Sequence, residues 1–104
     1  MNQNMNEIVR QAQKMQTQIA KVQEDIGSKE VEASTGGGMV VATCNGKQEL
    51  LSVKINPEVL DPNDVEMLEE MILGAVNQAM ETAGEMMNSE VNKITGGVGI
   101  PGFM

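Results

Sequence analysis

The chain has 104 residues and a formal net charge of −8, and Phe103 is its only aromatic residue. That length bounds it to one small domain, for which added stability from self-association is expected. It has no histidine and a single cysteine, Cys44, which removes the commonest neutral-pH acid–base group, an internal disulfide and any multi-cysteine zinc site.

Cys44 also lacks a histidine that could serve as its base, so it reads as a small buried hydrophobe rather than a nucleophile. The ten methionines read as adaptable core filler. The opening MNQNMNEIVR has no apolar signal core, and no stretch reaches the ~18 apolar residues of a membrane span. The expectation is a cytoplasmic protein with no membrane partner, metal or cofactor.

Met5, Ile8, Ala12, Met15, Ile19, Val22 and Ile26 recur at alternating steps of three and four, the spacing of a heptad seam. Gln, Lys and Glu fill the positions between, and Gly27 offers a stop. A helix over about residues 4 to 26 follows. Its narrow stripe suits a partner helix better than a sheet, so Ile8, Ala12, Met15, Ile19 and Val22 are expected to form the seam of a homodimer.

KEVEAST, residues 29–35, alternates as a half-buried strand. Gly36, Gly37 and Gly38 come next, then a second alternating run, Val40, Ala42 and Cys44. Phosphate-cradling glycine loops feed a helix and commonly add a Lys. These feed a strand, so they are expected to be a flexible connection and not a nucleotide site. Asn45-Gly46 signals a two-residue hairpin turn. That turn would set Cys44 opposite Lys47, Ala42 opposite Glu49 and Val40 opposite Leu51. Leu51, Val53 and Ile55 would then share the dry face with Val40, Ala42 and Cys44.

In LDPNDVEML, Asp61 is the expected N-cap of a second helix and Pro62 its first residue. Val65, Leu68, Ile72, Ala75, Val76, Ala79, Ala83 and Met86 continue at helical spacing to Lys93 or Ile94. The fold class is α+β, in the order α-β-β-β-α: a three-stranded antiparallel meander with two long helices. Residues 1–94 make the domain, and 95–104 a glycine-rich tail expected to be flexible.

Residues 1–57 balance six basic groups with six acidic ones, whereas residues 58–104 carry nine acids against Lys93. The acids crowd the start of the second helix, beyond what its dipole requires. Helix 1 carries no acid between Ile8 and Gln23. Arg10, Lys14 and Lys21 fall within about 40° around its axis. They form a basic stripe beside the seam, with amide side chains around it that could bond phosphate or sugar oxygens.

QAQKMQ in the basic helix, GGGMVVATCNG, VKINPEVL and a final PGF together resemble the YbaB/EbfC family of bacterial nucleoid-associated proteins. The resemblance covers nearly the whole chain. It implies tweezer-shaped homodimers with projecting helices that bind double-stranded DNA with little sequence preference and influence nucleoid organisation and gene expression. It places Lys14 inside the matched motif and Arg10 just before it, while Lys21 rests on the stripe. Asn56 departs from the family's more usual Asp, and Leu51-Ser52 from a stretch that is basic in some relatives. No enzyme and no small-molecule substrate are implied. The rival expectation is a protein-interaction dimer acting through the acidic second helix or the tail.

Overall fold

The computed structural model describes residues 2–96, with side chains from Asn4 onward. Helix α1 runs Asn2–Gly27, one turn's fraction longer at each end than its spacing predicts. Its apolar stripe is covered unevenly. Ile26 is 6% exposed, Met15, Ile19 and Val22 are half-buried, and Ile8 is 65% exposed. Helix α2, Val65–Thr95, lies beside only the C-terminal part of α1.

Strands β1 (Glu30–Thr35), β2 (Val40–Asn45) and β3 (Leu50–Ile55) form the expected antiparallel meander in the order β1-β2-β3. Residues 36–38 form a defined turn, not a loose connection: all three glycines have positive φ, between 62° and 91°. Such values cost little only without a Cβ. At Gly36 a Cβ would also collide with the Met71 methyl group. The backbone amide of Met39 donates to the Thr35 carbonyl at 3.1 Å and closes the turn.

The second hairpin departs from the expected register. Cys44 pairs with Leu50, Ala42 with Val53 and Val40 with Ile55, and Leu51 is the extra residue of a bulge. The connection is a three-residue loop, closed by Gln48 N–H donating to the Asn45 carbonyl at 3.0 Å and Asn45 N–H donating to the Glu49 carbonyl at 3.0 Å. Positive φ falls on Gln48; Gly46 is small for another reason. A Cβ on Gly46 would run into the Ile26 backbone carbonyl, so this glycine lets the hairpin touch the end of α1. Gln48 is held in its left-handed conformation by its side-chain amide, which donates to the Met80 carbonyl on α2 at 3.0 Å. The Asn45 side chain accepts from the Lys47 and Glu49 amides, completing the loop.

Helix α2 starts later than its sequence suggests. The cap is Asp64, whose carboxylate accepts from Met67 N–H at 3.2 Å. Asp61 instead caps a preceding turn by accepting from Asn63 N–H, and Pro57–Val59 form a short 3-10 turn. Past its start, α2 presents Ala75, Ala79 and Ala83, all fully buried, to Val40, Ala42 and Cys44. A stripe of small residues lets the helix lie close to the sheet, where matched shapes gain dispersion. The buried face then rotates to Val91 and Thr95, where α1 is the neighbour. Gly96 ends the helix in the left-handed conformation. The expected tail lies outside the described residues from position 97 onward.

Helix α2 covers β1 and β2 but only grazes β3. Leu50 and Ile55 therefore remain 45% and 36% exposed although they pair with fully buried Cys44 and Val40. The molecule is elongated, 74 × 22 × 16 Å.

Candidate nucleic-acid interface

A helix sets side-chain direction by residue number, at ~100° per residue. Arg10, Lys14 and Lys21 consequently share one face of α1, and all three are exposed. The face spans roughly 16 Å from Arg10 to Lys21, enough to reach across a major groove about 12 Å wide. It lies opposite the first part of the seam, where Met5, Ile8 and Ala12 are turned about 120° or more away from the cations, and beside the later part, where Val22 is about 80° from Lys14. Arg10 has Glu7 as an ion-pair partner at 3.7 Å. Both groups are well exposed, so this weak pair leaves the guanidinium free to exchange for phosphate.

Residues Asn4 to Lys14 are exposed on every side. This half of α1 is an arm extending about 16 Å beyond its packed half. The seam divides accordingly. Ile8 and Ala12 are on the arm and uncovered, Met15 lies at the boundary, and Ile19 and Val22 lie where α2 of the same chain runs alongside.

Sequence reasoning missed two groups. Lys47, on the β2–β3 loop, lays its stem over Gly27 at the C-terminus of α1. A cation is favourable there against the unpaired carbonyls, and α1 has no basic residue of its own in its last turn. Its position could be found only once the hairpin was seen to meet the helix. The second group is apolar and exposed: Leu50, Leu51 and Ile55 on β3, and, separately, Leu60 and Val65, which line a shallow pocket of about 220 Å³. Their exposure follows from how far α2 reaches, which no local pattern encodes.

Elsewhere, Gln23, Lys47, Gln48 and Asn88 line a cleft of about 430 Å³ at the corner of α1, the β2–β3 loop and α2. It offers one cation and several amides, but no nucleophile paired with a base. Among the described residues no three His, Cys, Asp or Glu side chains are grouped to hold a metal ion, and no helix is long and apolar enough to cross a membrane. Cys44 is fully buried, and burial pushes its thiol above the ordinary value. The acidic end of α2 places Glu66, Glu69 and Glu70 around exposed Leu73.

An α-β-β-β-α chain with a projecting basic helix matches the profile of the YbaB/EbfC DNA-binding family over residues 1–98. The chain belongs to this family. Among its relatives, a nucleoid-associated protein of Thermoanaerobacter pseudethanolicus is 56% identical over 100 residues, covering 96% of this chain and 90% of the relative. A nucleoid-associated protein of Moorella thermoacetica is 53% identical over 100 residues, covering 96% of both chains. The fold is also that of an uncharacterized protein of Helicobacter pylori, with a TM-score of 0.64 at 23% identity, over 75% of this chain and 90% of the other.

Proposed function

We propose that the protein binds double-stranded DNA at the bacterial nucleoid as a homodimer, through phosphate contacts from Arg10, Lys14 and Lys21 and with little sequence preference. It acts by binding and not by catalysis, and so influences nucleoid organisation and gene expression. The observation that carries this reading is the exposed basic face of α1, with Arg10 and Lys14 on the arm and Lys21 beyond it, all on one solvent-facing side in a protein with net charge −8. Long-range attraction to DNA is disfavoured by that charge, but the local field at the arm governs docking. Contacts to phosphate position a protein without reading bases.

The homodimer is supported by the uncovered apolar side of β3 (Leu50, Leu51 and Ile55) together with Leu60 and Val65. Apolar clusters of this kind on a small domain mark association sites. A two-fold axis through that side gives each dimer two arms.

Gel-shift titration against two unrelated duplexes, each with the other as competitor, tests the DNA reading. Similar affinity for both and steep weakening by salt support it. No binding even at low salt favours the rival, a protein-binding dimer using the acidic end of α2. The exposure of Leu73 among Glu66, Glu69 and Glu70 is the observation on that side.

A further inference from the structure

The arm of α1 has two faces, and the DNA reading uses only one. Opposite the cations, Met5 is 67% exposed and Ile8 65%, with exposed Ala12 completing a two-turn apolar stripe and exposed Val9 at its edge, about 100° from Arg10. The same seam is covered further along, where α2 takes Ile19, Val22 and Ile26. Where α2 no longer reaches, the stripe has the spacing for a helix and, among the described residues, no helix to meet.

We propose that this stripe pairs with the same stripe on the arm of a second dimer, and that the pairing lets the protein bridge two DNA duplexes. The inference rests on the DNA reading above and adds how two bound molecules are joined. Three features select another arm as the occupant. Met5, Ile8 and Ala12 keep heptad spacing, so the stripe is complementary to itself. The seam face carries no charge, so a basic or acidic partner gains nothing there. Pairing seam to seam also turns both sets of Arg10, Lys14 and Lys21 outward, about 120° or more from the contact. The paired arms therefore keep like charges apart and present a cationic face on each side, one for each duplex.

The size of the contact sets its strength. Four side chains over two turns offer well under the roughly 800 Å² per partner of a stable interface. The pairing is weak for a free molecule. It becomes effective when several dimers lie on the same DNA, because tethering raises the local concentration of arms.

The test immobilises one duplex, adds the protein and a second labelled duplex, and measures how much label is retained. The parent should retain it. The neutral double variant Met5→Gln/Ile8→Gln should retain at least tenfold less, while its affinity for a single duplex changes less than twofold. Equal retention by the variant, or no retention by a parent that binds single duplexes, overturns the proposal and leaves the DNA reading intact.

A second measurement works without reference to DNA affinity. Cys44 is buried, so Ala12→Cys introduces the one accessible thiol among the described residues. One accessible thiol per chain joins two chains, so the readout is native size: oxidised protein should run larger than a dimer under native conditions, and added DNA should speed the reaction. Oxidised protein that is disulfide-linked yet keeps the native size of a dimer makes the arm the dimer interface itself and overturns the proposal. If the parent binds no DNA, the DNA reading fails. Arm pairing then stands only if concentrated Ala12→Cys protein, once oxidised, runs above the dimer under native conditions, and falls if it does not.

Discussion

The two halves of α1 carry the same apolar spacing and meet opposite fates. From Ile19 to Gly27 the helix is held by α2 and by the β2–β3 loop, with Ile26 buried and Gly46 in contact with its carbonyl. From Asn4 to Lys14 the helix is exposed on all sides. A heptad pattern thus states that a helix has a partner, without stating whether that partner belongs to the same chain. Here one half is answered internally and anchors the fold, while the other half stays uncovered among the described residues.

Substitutions in the anchored half should break the fold, and those in the arm should spare it. The largest effect is expected for Gly46→Ala, whose Cβ meets the Ile26 backbone. Backbone cannot yield as a side chain does, so urea unfolding should show a loss of about 4 kcal/mol. Ile26→Ala, which empties a buried position on the same contact, should cost about 3 kcal/mol. Ile8→Ala, the same chemistry on the arm, should change protomer stability by less than ~0.5 kcal/mol. If the two isoleucines cost the same, the division of the helix is wrong.

Gly36→Ala comes between these extremes. It combines a φ of 62° with the Met71 methyl group, a flexible neighbour that can move, so about 1–2 kcal/mol is expected. Gly37→Ala meets nothing within 4 Å and should cost only the backbone term, about 1 kcal/mol. The smallest stability change is expected for Lys14→Glu, under ~0.5 kcal/mol for an exposed helical position, with a clear fall in affinity for every duplex tested.

Much of this division could be read in the sequence, and its gaps have physical causes. Alternation located all three strands, because one-sided burial writes a period of two. The β2–β3 register was misread since Asn45-Gly46 is compatible with a two- or a three-residue loop. Its arbiter is the contact of Gly46 with Ile26, twenty positions away in the chain. The start of α2 was misread because Asp61 and Asp64 are both good caps; the first closes a turn and the second begins the helix. The three cations of the stripe are grouped by helical angle, and all three are exposed on α1. Their relation to the seam emerges only when both are placed on one wheel.

The central claim is that the cations of α1, Arg10 and Lys14 on the arm and Lys21 beyond it, contact DNA phosphates. The direct measurement is the salt dependence of duplex binding for the parent and for Arg10→Gln/Lys14→Gln/Lys21→Gln. With one phosphate per cation and two arms per dimer, the parent should show a slope of log affinity against log salt of about −5. The variant should remain a folded dimer and its slope should shrink toward zero. A folded variant that keeps the parent's slope and affinity would place the DNA surface elsewhere and contradict the account.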